Sequence, residues 1–220
     1  MALKIFESKK HVFWQAFFLT SMFFILGLVF GIYLEQARTD SLNVAFYQSE
    51  SSLYDSFALG QLANDPSISC KMITDANVVF ADKIYEEAKN LEKFDESNKL
   101  TESAKIIHRK YDLLRTLLWM NPINIKENCN ANTIVYLYAY KTDNMKLKAE
   151  QIVWSRILEE LKYQMGNEVI LIPIAADQDI TSLDYLIEKY EIKEFPAVII
   201  NEKDVLYEHK TTKELSEYFK

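Results

Sequence analysis

The sequence predicts an α/β C-terminal domain with the element order β-α-β-α-β-β-α, preceded by a transmembrane helix and an α-helical hairpin. Three observations point there. Residues Val12 to Leu34 contain no charged side chain, two later segments carry apolar residues every three or four positions, and from residue 133 short β-branched and aromatic runs alternate with helical spacing.

Taken in order, residues 1–11 form a short flank with Lys4, Lys9 and Lys10, and 12–34 form the span "VFWQAFFLTSMFFILGLVFGIYL". At about 1.5 Å per residue this run crosses a hydrocarbon core of roughly 30 Å. The competing reading is a cleavable signal peptide, whose apolar core is usually only about 7 to 15 residues and ends at a small-residue cleavage site. The run here is longer, and "GIYLEQARTD" offers no such site. Trp14 and Tyr33 fit interfacial anchoring. Only Arg38 follows closely on the far side, so the positive-inside rule places the N-terminus in the cytoplasm and the remainder outside. The whole chain carries a formal charge of −7, of which the flank contributes +2 (three Lys, one Glu), leaving −9 for the rest. That balance argues against nucleic acid or anionic lipid as a main partner, since both need clustered Lys and Arg. The expected lipid contact is the span itself.

Residues 35–66 are expected to continue as a stalk helix. They lack proline until "NDPS", and Phe46, Leu53 and Phe57 fall near one face. A break around "ARTDS" is the alternative. The hairpin region, 67–130, holds a helix from about Ser67 to Phe94, with Ile73, Ala76, Phe80, Ile84, Ala88 and Leu91 in one stripe. The turn "DESN" leads into a third helix, about Lys99 to Met120, carrying Ile107, Tyr111, Leu114 and Leu118 and ended by Asn121-Pro122. A short turn favours antiparallel packing of the pair.

The remaining residues, 131–220, change character. "TIVYLYAY" (133–140) and "EVILIPIAA" (168–176) read as buried strands, with helical spacing between them at 146–165. "TSLDYLIEKY" reads as a short helix capped by Thr181 or Ser182. "AVII" and "VLYEH" read as strands joined by the turn "NEKD", and "TTKELSEYF" as a terminal helix.

This order, together with "IVYLYAYKTDNMK", "VILIPIAADQD" and "LIEKYEIKEFPAVIINEKDVLYEH", resembles the thioredoxin-like superfamily over about residues 133 to 220. The resemblance implies a cis peptide bond before Pro196, and an exposed backbone at Phe195 with which an extended peptide can pair. The alternative is a trans proline that merely begins an edge strand. The family's redox chemistry needs two cysteines at the start of the first helix, where the helix dipole lowers a thiol pKa. The corresponding stretch here is Thr142-Asp143-Asn144-Met145, with no thiol. Thr142 as a nucleophile would need an adjacent base, and no neighbouring histidine or motif supplies one. The expected peptide groove is therefore Thr142, Asp143, Asn144, Met145, Phe195 and Pro196, with no catalytic residue.

Cys70 and Cys129 are the only cysteines and lie outside the thioredoxin-like stretch. Their positions at neighbouring ends of an antiparallel hairpin, in an exported region, suggest a structural disulfide. A redox-active pair or two free thiols are the alternatives. Zinc has weak support, because His108 is the only histidine in the same region. With only Gly60 and Gly166 after the span there is no glycine-rich phosphate loop, so no cofactor is expected. The functional expectation is a membrane-anchored, extracytoplasmic protein that binds a protein or peptide partner or serves as a scaffold. Its rivals are an oxidoreductase or redox sensor using Cys70 and Cys129, and a structural subunit of a membrane complex.

Overall fold

The computed structural model describes residues 9–61, 69–95, 102–125, 132–140 and 142–219. The chain divides into two units, Met1–Ala45 and Phe46–Lys220.

The first unit contains the whole membrane-crossing candidate. Helix α1 (Lys9–Gln61) includes His11–Ala37, a stretch long and apolar enough to cross a membrane, with none of its most apolar window buried in the protein. Residues 37–41 stay helical, so the break at "ARTDS" does not occur. The sequence there lacks Pro and Gly, and the Thr39 hydroxyl donates back to the Glu35 carbonyl at 3.0 Å, an arrangement a helix tolerates.

The second unit begins with the last part of α1. Phe46 is buried there, edge-on to Tyr111 with ring centroids 5.9 Å apart, and Lys110 Nζ sits 4.7 Å from the Phe46 centroid. The side chains of Leu53 and Phe57, expected on the same face, lie outside the described residues.

Helices α2 (Cys70–Asp95) and α3 (Glu102–Ile125) pack on one another. They are antiparallel, because Asn77 on α2 meets Asn121 on α3 while Glu87 meets Tyr111. Of the stripe residues, Ile73, Phe80, Ile84, Ile107, Tyr111, Leu114 and Leu118 are buried and Ala76 is half-buried, while the side chains of Ala88 and Leu91 lie outside the described residues. Ser69 caps α2, its Oγ accepting from Met72 N at 3.3 Å, so the helix starts later than Ser67. The turn "DESN" lies in part outside the described residues. Contrary to expectation, Asn121-Pro122 does not end α3, which runs on to Ile125. Pro122 falls in the final turn, where it removes a single backbone bond, and the buried Asn121 side chain is held in place by Asn77 at 2.9 Å.

The sheet has the order β2-β1-β3-β4. Strands β1 (Asn132–Tyr138) and β2 (Val169–Ala175) are parallel; β3 (Ala197–Ile200) runs antiparallel to β1, and β4 (Asp204–Leu206) antiparallel to β3. The protein is thus mixed α/β, with a four-stranded mixed sheet. Side-chain alternation sends Ile134, Tyr136, Val169, Val198 and Ile200 to one face, where they pack with Trp154, Leu158 and Leu161 of α4 (Met145–Met165) and Leu215 of α6 (Thr212–Ser216). Val135, Leu137, Ile170, Ile172, Ile174 and Ile199 point the other way and are equally buried; α2 and α3 pack against β2, and α3 also meets α5 (Thr181–Lys189).

Helix α2 also reaches α4: Asp82 pairs with Lys162 at 3.0 Å, and Glu159 takes Tyr85 OH at 3.3 Å and Lys89 at 3.4 Å. It therefore covers the outer edge of β2. Ala176 N donates inward to Tyr138 O, so by alternation the backbone groups of Val169, Leu171, Pro173 and Ala175 face outward. Lys162 Nζ reaches Val169 O at 3.0 Å, Pro173 has no N–H to offer, and Ala175 N donates to Asp112 Oδ1 at 3.2 Å.

Three smaller corrections concern ends of elements. The α5 cap position is Ile180, with no side-chain cap bond, rather than Thr181 or Ser182, which are already helical. The β3–β4 turn spans Asn201 to Lys203, with Asn201 and Glu202 at φ near +50° and Lys203 N donating to Ile200 O at 3.0 Å, and β4 stops at Leu206 instead of His209. The terminal helix is only Thr212–Ser216 followed by a 3₁₀ turn, with Thr211 and Glu214 forming a capping box.

Candidate functional site

The C-terminal end of β1 is the place where chain segments converge. Beyond Tyr138 the backbone of Ala139 is held by Gln151 of α4, whose Oε1 accepts from Ala139 N at 3.1 Å while its Nε2 donates to Ala139 O at 3.0 Å. A glutamine amide thus replaces a strand neighbour and lets the chain leave the sheet without an orphaned peptide group. Tyr136 OH donates to the Gln151 backbone carbonyl at 3.0 Å, and burial pushes this phenol above its ordinary pKa. Tyr140 N then donates to Asp177 Oδ1 at 2.8 Å, tying this turn to the segment that follows β2.

The stretch Thr142 to Met145 forms the entry to α4. Asn144 is the N-cap: its Oδ1 accepts from Lys146 N at 3.0 Å and from Leu147 N at 3.2 Å. Thr142 Oγ1 accepts from Asn144 N at 3.2 Å, which makes it part of the capping turn. Asp143 is exposed, and Met145 is 77% exposed at the first helical position.

The Phe195-Pro196 bond is cis, Pro196 is buried and Phe195 is half-buried. The β1–β3 register pairs Leu137 with Ala197, and its continuation sets Phe195 beside Ala139. All six expected groove residues therefore belong to one end of the sheet: Phe195 and Pro196 lead into β3, and Thr142 to Met145 follow β1 after a short turn. Lys193 N, just before them, donates to Tyr207 OH at 3.1 Å.

Helix α3 borders the same end. His108 is buried, its ring centroid 4.6 Å from that of Tyr140. Arg109 Nη2 donates to Asp179 O at 2.6 Å. Asp112, 1% exposed, accepts from both Arg115 Nη1 at 3.1 Å and Ala175 N at 3.2 Å. Burial pushes its carboxyl up to about 6, against the opposing pull of Arg115. Arg109, Asp112 and Arg115 belong to no motif, yet the sequence carries one signal of them. An acid and a base three apart, Asp112 and Arg115, interrupt the apolar stripe of Tyr111, Leu114 and Leu118.

Cys70 opens α2 and is not a free thiol. Cys129 lies outside the described residues. Among the described residues, no group of three His, Cys, Asp or Glu side chains is placed to hold a metal ion. No family model matches the chain, and no curated protein matches it.

Proposed function

We propose that this chain is a single-pass membrane protein, N-terminus cytoplasmic, whose C-terminal domain is thioredoxin-like but lacks the paired thiols and binds an extended protein segment. The observation that carries the reading is the juxtaposition at one sheet end of the Phe195-Pro196 step and a helix entry whose chemistry is capping. The parallel β1/β2 pair and the antiparallel β3/β4 hairpin fit the element order β-α-β-α-β-β-α and support the domain assignment. Segments that bind beside an exposed backbone gain main-chain hydrogen bonds, and side-chain pockets then set specificity.

Photo-crosslinking in intact membranes tests this. A photoreactive side chain at Phe195 or Met145 is expected to capture a defined adduct that the same probe at Tyr163, 90% exposed on α4, does not. Identical adducts from all three positions, or none, would overturn the reading.

Cys70 being bonded favours a companion assignment, a structural disulfide with Cys129, the only other cysteine. In the antiparallel register Cys70 stands at the end of the hairpin where α3 finishes. A reduction potential below about −300 mV is expected of a structural bridge, and one well above it would favour redox activity.

A further inference from the structure

We propose that Gln151 is a displaceable plug at the segment-binding end of the sheet: its side-chain amide occupies the peptide group of Ala139 until the backbone of an extended protein segment takes its place. The plug presupposes the segment-binding reading and adds to it the backbone group that pairs and the side chain that guards it.

The direction in which Ala139 points follows from its neighbours. Tyr138 O accepts from Ala176 N at 2.7 Å, and Tyr140 N donates to Asp177 Oδ1 at 2.8 Å, so residues 138 and 140 face the β2 side. Thr133 O accepts from Asn201 N at 2.9 Å, which puts the odd-numbered residues of β1 on the β3 side. Ala139 is next in that odd series, one step past the last β1–β3 pair that faces this way, Leu137 with Ala197. Its N–H and C=O therefore point to the place where a further strand residue would pair. The Gln151 amide fills that place, Oε1 accepting from Ala139 N at 3.1 Å and Nε2 donating to Ala139 O at 3.0 Å.

A primary amide bonded at both points is the chemical likeness of a peptide group. The slot thus holds one planar amide and offers it one donor and one acceptor. Three features make this occupant replaceable. It is a half-buried side chain on a flexible stem, free to swing into water. Helix α4 need not move with it, because Gln151 O separately accepts from Tyr136 OH at 3.0 Å and Asn144 caps the first turn. Exchanging one amide for another also leaves no peptide group orphaned in either state. While no segment is present, the plug denies other chains an open pairing position. The fit defines the partner: an extended segment whose pairing residue carries both N–H and C=O, which excludes proline there, with little demand on its side chain.

Gln151→Met keeps the length of the side chain and removes both bonds. In the full chain in detergent micelles, hydrogen exchange at the Ala139 amide is expected to be about tenfold faster in Gln151→Met than in the wild type. In intact membranes, a photoreactive side chain in place of Met145, which leaves Ala139 and Gln151 untouched, is expected to capture about tenfold more adduct in Gln151→Met, since no competing amide has to leave. Exchange at Ala139 in that purified adduct should be slow again, its N–H now held by the segment. Gln151→Glu keeps an acceptor for Ala139 N and loses the donor to Ala139 O, so it should fall between the two, and it carries the test should Gln151→Met fail to fold. A side chain that only caps β1 predicts the reverse, with capture unchanged or reduced on its removal. Equal or lower capture in the variants, or an Ala139 amide that stays fast in the adduct, would overturn the plug and leave segment binding standing. No adduct from wild type or variants would remove the segment-binding reading, and the plug with it.

Discussion

Asn77 and Asn121 offer a sharp test of how the hairpin holds its register. Both are 2% exposed, and Asn121 Nδ2 donates to Asn77 Oδ1 at 2.9 Å, while Asn77 Nδ2 donates to the Ile73 carbonyl at 3.1 Å. Asn77→Ala removes both bonds and leaves the Asn121 amide orphaned in an interior site. An unsatisfied buried donor costs about 1–3 kcal/mol, and the small void adds to it, so about 2–4 kcal/mol of destabilisation is expected. Asn121→Ala leaves Asn77 with its Ile73 bond, so about 1–3 kcal/mol is expected there. In the double variant neither orphan remains, and its loss should fall short of the sum by roughly 1–2 kcal/mol. Urea unfolding of the full chain in micelles measures all four proteins. With a slope of about 2 kcal/mol per molar, Asn77→Ala should lower the midpoint by roughly 1–2 M. Additivity within about 0.5 kcal/mol would refute the reasoning, since two residues that share a buried hydrogen bond cannot be energetically independent.

Other expectations follow from single contacts. Asn144→Ala removes the α4 cap and should cost about 1 kcal/mol by thermal unfolding, with Asn144→Asp recovering most of it. Asn201→Ala should cost about 2 kcal/mol, because alanine lacks the side-chain amide that helps asparagine tolerate φ near +50° and that supplies the Oδ1 accepting from Thr133 N at 2.9 Å. Trp119 is fully buried against Tyr190, its ring stacked at 5.3 Å, and its Nε1–H has no hydrogen-bond partner among the described residues. Trp119→Phe should therefore be milder than Trp119→Ala, which should cost about 3–5 kcal/mol; equal losses in the same unfolding assay would contradict the orphaned donor.

Much of the architecture was legible because its cause is local. Ile107, Tyr111, Leu114 and Leu118 announce α3 by spacing alone, and "TIVYLY" announces a strand buried on both faces. "NEKD" was read as a turn, although the positive φ at Glu202 falls on a residue with no special liking for it. The misreadings also have identifiable causes. Pro122 is a strong stop signal, outweighed by a buried side chain anchored 44 positions away in sequence. Ile180 takes a cap position because Leu183 and Leu186 must reach the core from that phase. Thr142 to Met145 lead into α4 and Phe195-Pro196 into β3, but the contacts around them, Asp112 to Ala175 and Gln151 to Ala139, join positions 63 and 12 apart. No local pattern encodes such pairings.

The outer side of β2 has a consequence for association between molecules. With Val169 O taken by Lys162, Pro173 lacking a donor, Ala175 N taken by Asp112 and α2 alongside, a foreign strand finds little to pair with there. The opposite margin, β4, is short but has no strand beyond it among the described residues. A domain with a single receptive margin can join one like neighbour, margin to margin, and then has nothing left to offer a third. Sheet-to-sheet growth of this protein should thus stop at pairs, so crowding many copies in one membrane does not by itself start a fibre.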